Sequence, residues 1–233
     1  MTDTPRARQI NSNRIAEALR NFSYRVMDSD EDREEIYRMR YRAYLREGAI
    51  QPNSAAMVSD EYDVAPNAWI FGVYYKGELV SSLRVSVSTP EYPDFPSLHV
   101  FEDKLTPFVE AGRIIVDPTK FVVEPELQRR IAILPYMTVR LGCMAVEHFN
   151  ADIGLSTVRD EHVGFYERAL LHRPASEPRL YPGLLKPVQL MISDGVADRD
   201  KVVERYPIFA STAGERAALF EPHHIQQSVP EFA

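Results

Sequence analysis

The spacing of apolar side chains along this chain switches between every second residue and every third or fourth, with Gly and Pro at the switches. Strands and helices are therefore expected to follow one another in a mixed α/β order. A short amphipathic helix is predicted over Asn11–Phe22 and a brief strand over Tyr24–Met27. Ser29, with Asp32 three residues on, resembles a capping box and opens a helix to about Arg46, which Gly48 ends. Pro52–Pro66 reads as a polar loop carrying Asp60, Glu61 and Asp63. Ala68–Tyr75 and Glu78–Val87 are β-rich runs joined at Lys76-Gly77, a hairpin signal. A Pro-rich excursion over Pro90–Pro96 precedes a strand from Arg113 to about Glu124. A helix from Glu126 to about Phe149 follows, which Pro135 is expected to kink. Ala151–Val158 reads as a strand, His162–Leu171 as a helix and Lys186–Ser193 as a last strand, and the pattern after Asp194 is the least legible. Without internal repeats or a linker, one domain is predicted over residues 23–220, with a helical arm at 1–22 and a tail at 221–233.

Composition narrows the class. With 233 residues, 45% hydrophobic and 26% charged, the chain has the balance of a packed, enzyme-sized domain and not of a disordered or fibrous one. Its longest apolar stretches, such as Trp69–Tyr75, fall far short of the roughly 18 residues that span a bilayer, so no membrane span is expected. Met1–Gln9 is polar and lacks a secretory core. Cys143 has no partner for an internal disulfide, and the two features together point to a reducing cytoplasm. A net charge of −7 argues against nucleic acid as the main partner. The chain carries no Gly-rich phosphate loop, no cysteine pair, no His-Glu-x-x-His and no Gly-x-Ser-x-Gly elbow. His223-His224 reads as a solvated pair, and no metal is expected.

Three local features exceed what a bland core requires. Arg38, Arg42 and Arg46 form a solvated stripe on the first long helix. Arg40 instead has Ile36, Tyr37, Ala43 and Tyr44 as its helical neighbours and falls at the apolar face. A guanidinium there needs a carboxylate partner, either as a structural ion pair or as part of a substrate-facing wall. In the second hairpin strand Leu83, Val85 and Val87 face one way, while Ser82, Arg84 and Ser86 face the other, toward solvent or a lined cleft. Asp60 and Asp63 are the nearest acids in sequence to partner both arginines. Third, Pro118 cannot donate a ladder hydrogen bond, so the strand through Arg113–Glu124 should carry a bulge or gap at that point. Freed backbone amides beside a cleft suit an acyl-transfer oxyanion, and Asp117, just before the proline, is placed either to act on a nucleophile or as a loop-end acid without chemistry.

Taken in order, Arg40-x-x-x-Tyr44, Asp60-Glu61-Tyr62-Asp63, Ser82-Leu83-Arg84, Phe101 and Asp117-x-x-Lys120-Phe121 resemble the pattern of the acyl-homoserine lactone synthases. The fuller resemblance is to their relatives, the long-chain N-acyl amino acid synthases. It rests on Met39–Ile50 and Thr157–Arg168 and continues to Tyr181-Pro-Gly183, covering roughly residues 24–220. It implies an α/β, GNAT-like acyltransferase fold: a mixed central sheet splayed near its middle and flanked by helices, with the acyl thioester in the splay. His162–Arg168 also looks like the late helix of ordinary acetyltransferases, where Tyr166 matches a tyrosine that often protonates the leaving thiolate; Phe165 and Tyr166 equally suit core aromatics, Phe165 the more so.

The implied activity is transfer of a long-chain fatty acyl group from an acyl carrier protein thioester to an amino acid's amine. Asp117 is the expected base, with Glu124 as its substitute. Arg84, backed by Arg40, is expected to hold the acceptor with Tyr44, Asp60, Asp63, Phe101, Lys120, Phe121 and His162, and amides near Val122, Val123 and Glu124 to meet the oxyanion. Two departures count against S-adenosylmethionine as acceptor: Asp117-x-x-Lys120-Phe121 replaces the usual Glu-x-x-Arg-Phe, and Ile50 stands where a tryptophan is usual. Leu127–Ile133 contains no glycine to cradle a coenzyme A pyrophosphate, which favours a carrier's phosphopantetheine arm as donor, with no bound cofactor. Arg129, Arg130 and Arg140 are the expected docking residues for that acidic carrier. A lactone synthase and a non-catalytic acyl-binding module of the same fold are the competing readings.

Overall fold

The computed structural model describes residues 15–124, 126–127 and 130–221. Seven strands, β1 (Phe22–Val26), β2 (Ala68–Tyr75), β3 (Glu78–Ser88), β4 (Ile115–Val123), β5 (Ile153–Val158), β6 (Arg173–Pro174) and β7 (Gln189–Asp194), form one sheet in the order β1-β2-β3-β4-β5-β7-β6. The helices that frame it are α1 (Asp30–Arg46), α2 (Glu102–Glu110), α3 (Leu134–His148), α4 (Asp160–Leu170), α5 (Arg199–Arg205) and α6 (Ala213–Phe220). Neighbouring strands are antiparallel except β4 and β5, which run parallel and pair only at Ile115↔Ile153 and Val116↔Gly154. Past those two pairs the strands part, and the sheet splays at its middle.

The alternation of β3 decides what lies on each face. Leu83, Val85 and Val87 enter the main apolar cluster with Val116 and with Leu134, Met137 and Leu141 of α3. Ser82, Arg84 and Ser86 are buried on the opposite face, toward α1. α1 begins where Ser29 Oγ accepts from the Asp32 amide at 3.1 Å, and it buries Ile36, Met39, Arg40 and Ala43, a helical spacing with one charged member. A second apolar cluster, around Phe95, Phe101, Leu105 and Leu155, seats α2. Gly142 sets the approach of α3 to β4: a Cβ there would lie 3.0 Å from Pro118 Cγ.

The structure differs from the sequence pattern in several places. α3 starts at Leu134, with Pro135 in its first turn where no intrahelical amide is needed, so the proline begins the helix and does not kink it. α2, between the Pro-rich excursion and β4, has no counterpart in the sequence pattern; Pro107 sits inside it, and Leu105 is fully buried. α5 and α6 lie in the segment that carried no legible pattern. The predicted N-terminal helix is present over 15–21, and its first residues lie outside the described ones, as does His223-His224.

Candidate active site

Helix α1, strands β3 and β4 and one short 3-10 turn build a charged wall on the α1 face. Asp60 caps the turn Glu61–Val64 and Asp63 closes its capping box, so both carboxylates are fixed by backbone amides before they meet a cation. Arg40 Nη1 donates to both Asp63 oxygens at 2.8 and 2.9 Å. Arg84 Nη1 reaches Asp63 at 3.0 Å and also pairs with Asp60, while Arg84 Nε donates to Thr119 Oγ1 at 3.0 Å. Lys120 Nζ completes the set at 3.0 Å from Asp60. Arg40 and Arg84 are wholly buried. Burial raises the Asp60 pKa, but the Lys120 and Arg84 cations outweigh it and bring it to about 2. Burial also lowers the Lys120 pKa against the opposing pull of Asp60. Arg84 Nη2 and Ser86 Oγ are buried without a partner among the described residues.

Lys120 owes its place to a bulge. Ser82↔Val122 and Arg84↔Thr119 are in register, so Lys120 and Phe121 together oppose Leu83, and Lys120 takes a left-handed φ of 55°. The expected irregularity thus falls two residues after Pro118, which itself stays in register with Val85. The Glu124 amide is not free, since it donates to Val80 O at 2.9 Å. Its carboxylate pairs with Arg42 at 2.7 Å. Val122 packs with Met39 and Ala43, and with Phe121 and Val123 it also lines the cavity described next.

Through the splay runs a cavity of about 430 Å³, walled by β4, β5, α3 and α4 and reaching Ala43, Tyr44 and Glu47 of α1. Pro118, Gly142, Cys143, Leu155 and Val139 give it an apolar interior, and Tyr44 and His162 stand among its lining residues. Tyr166 faces it with a phenol whose pKa burial alone pushes upward. Phe165 lines the same wall and packs edge-on against Tyr136 at 5.2 Å.

Asp117 sits between wall and cavity. It is fully buried, and burial raises its pKa to about 6 against the opposing hydrogen bonds from Ser97 and the charge of Arg84. Ser97 donates to it twice, from the backbone amide at 3.0 Å and from Oγ at 2.8 Å. Ser97 Oγ is also 2.9 Å from Thr157 Oγ1 on β5, and Thr157 lines the cavity. The only hydroxyl hydrogen of Ser97 is committed to Asp117, so Thr157 donates to Ser97 and turns its oxygen lone pairs outward. Hydroxyls thus bridge the strands where the sheet's own ladder has ended.

The structure brings together Arg40, Asp60, Asp63, Arg84, Lys120 and Asp117 on one side and Tyr44, Phe121, Val123, His162 and Tyr166 around the cavity. It does not bring in Phe101, which lies in the second apolar cluster under Arg179. Arg140 is a correction: it is buried and held by Ile208 O, Ala210 O and Glu215, so it anchors the C-terminal segment to α3 and offers nothing to a docking partner. Arg130 is exposed, and Arg129 lies outside the described residues. Sequence reasoning missed Ser97 and Thr157, whose hydroxyls carry no pattern until the fold joins them across 60 positions.

Residues 35–194 match the family described as N-acyl amino acid synthase FeeM. No curated protein sequence matches the chain. Among solved structures, FeeM, an N-acyl amino acid synthase from uncultured soil microbes, superposes with a TM-score of 0.63 at 15% identity, over 79% of this chain and 96% of that one. The acyl-homoserine lactone synthase LasI gives 0.55 at 16% identity, over 80% and 95%. MesI, a CoA-dependent acyl-homoserine lactone synthase, gives 0.54 at 13% identity, over 82% and 97%. The splayed mixed sheet is thus the GNAT-like acyltransferase fold, and with its family match over most of the domain the chain belongs to the FeeM family of N-acyl amino acid synthases.

Proposed function

We propose that this N-acyltransferase moves a long-chain fatty acyl group from the phosphopantetheine of an acyl carrier protein onto the amine of an amino acid. The observation that carries this reading is the chain Asp117, Ser97, Thr157, which links a buried base to the lining of an apolar cavity across the splay. An amino acid arrives as an ammonium ion and sheds two protons on becoming an amide. One passes to Thr157, from Thr157 to Ser97 and from Ser97 to Asp117, whose raised pKa suits it to accept a proton near neutrality. The freed amine attacks the thioester carbonyl, and the developing oxyanion is assigned to backbone amides at the bulge, where Lys120 and Phe121 have no register partner on β3. As the C–S bond breaks, Tyr166 protonates the thiolate and takes up the second proton from the amide nitrogen through solvent. The donors that Arg84 Nη2 and Ser86 Oγ leave unpartnered on the wall support a carboxylate-bearing acceptor.

The glycine-free Leu127–Ile133 favours a carrier over coenzyme A as donor. Purified protein is offered acyl carrier protein and coenzyme A thioesters of one chain, with each amino acid or with S-adenosylmethionine, and the products are read by mass spectrometry. N-acyl amino acid formed from the carrier thioester supports the reading. Lactone formation overturns the acceptor assignment, and equal use of coenzyme A overturns the donor assignment. Asp117→Asn should cut turnover by about a hundred- to ten-thousand-fold. Part of that loss should return at a pH above the acceptor's amine pKa.

A further inference from the structure

At the closed end of the splay, where Val116 pairs with Gly154, the cavity holds a polar niche that the transfer chemistry does not use. Gly154 lacks a side chain, and the point its Cβ would occupy is 2.8 Å from Ser193 Oγ, 3.5 Å from Val146 Cγ2 and 3.8 Å from His172 Nε2. All four residues line the cavity. His172 is only 7% exposed, and its Nδ1 is buried with no partner among the described residues. Burial keeps its imidazole neutral, with a pKa brought down to about 3. With its proton on Nε2, the nitrogen beside the niche, the imidazole presents a donor there. Ser193 Oγ has only a long contact, 3.4 Å to Gly154 O. The nearby acids are engaged elsewhere: Asp198 with Arg173 and Lys201, and Asp194 with the amides of Val196 and Ala197.

A saturated hydrocarbon chain filling this cavity would leave the His172 N–H facing carbon and the Ser193 hydroxyl with only its long contact to Gly154 O, and a polar hydrogen buried without a good acceptor is costly. We infer that the niche of Gly154, His172 and Ser193 receives an oxygen substituent on the acyl chain, hydroxyl or keto, so that the enzyme prefers oxygenated fatty acyl groups. The inference rests on the acyl group occupying this cavity, as the proposed function has it. His172 Nε2 donates to that oxygen and Ser193 gives or takes a second hydrogen bond, which fixes how deep the substituted carbon sits.

The test is a positional series of monohydroxylated acyl thioesters of one chain length, set against the saturated thioester in competition. The wild-type protein should favour one position by about tenfold in kcat/KM. His172→Leu should bring that ratio to about one, Ser193→Ala should lower it, and His172→Gln, which keeps a donor, should retain it. Calorimetric binding of the matching hydroxy and saturated free fatty acids reads the same preference without turnover, so the niche is judged even if no amino acid is acylated. No preference at any position, or a preference that survives His172→Leu, overturns the inference.

Discussion

At the level of single residues, Asp117 and Asp60 show how the same side chain is driven in opposite directions by its surroundings. Desolvation raises Asp117 from 3.8 to about 6, whereas Asp60 is held near 2 by cations that outweigh its burial. A carboxyl with a raised native pKa holds its proton longer in the folded than in the unfolded chain. Its stabilising contribution is therefore complete below about pH 4 and lost as pH rises to about 6, a change of about 3 kcal/mol at most. Asp60 works the other way, contributing above pH 3.8 and failing as pH falls toward 2, so the two windows do not overlap. Melting temperatures of wild type and Asp117→Asn, compared between pH 4 and 7, should diverge in favour of the variant as pH rises and run parallel above about pH 6. A constant difference would mean that Asp117 titrates normally. Ionising this carboxylate thus trades stability for a base suited to neutral pH.

Among elements, the turn Glu61–Val64 acts as a clasp, because Asp63 joins Arg40 of α1 to Arg84 of β3. Asp63→Asn removes the shared partner of two buried cations and should cost about 3 to 5 kcal/mol, while Arg38→Met, on an exposed pair with Glu34, should cost about 0 to 1. Equal denaturation midpoints would dismiss the clasp. Helix periodicity was enough to place Arg40 inside, and strand alternation to set Arg84 against Leu83 and Val85, because each depends only on neighbours within a turn or two residues. The Lys120 bulge was not legible, since a register shift belongs to two strands at once and only Pro118 marked the neighbourhood. Nor was the start of α3, where Pro135 could equally kink a helix or open one. The contact of α3 with β4 yields a further expectation. Gly142→Val would drive a side chain against Pro118 and into the apolar cavity, so catalytic preference should shift toward shorter acyl chains. A proportional loss at every chain length would show that the acyl group lies elsewhere.

For the whole molecule, one sheet presents a charged face to α1 and an apolar face to α3, and the gap between β4 and β5 lets the two communicate. The α/β order and the splay were accessible from pattern and resemblance. The link across the gap was not, because Ser97 and Thr157 are unremarkable in sequence and meet only when the Pro-rich excursion folds back on the sheet. That gap also gives the molecule two strand edges where a continuous sheet would have none. Beyond Val116 and Gly154, β4 and β5 turn edges toward each other instead of toward solvent, where exposed edges invite pairing between chains. An occupant bearing amide groups can then add to the ladder as a short extra strand, gaining main-chain hydrogen bonds independent of acyl chain or acceptor. Hydrogen exchange should register this. Amides of β5 past Gly154 and of β4 past Val116 should slow when a pantetheine thioester binds and stay unchanged with free fatty acid, so the edges would serve as a grip on the carrier arm alone.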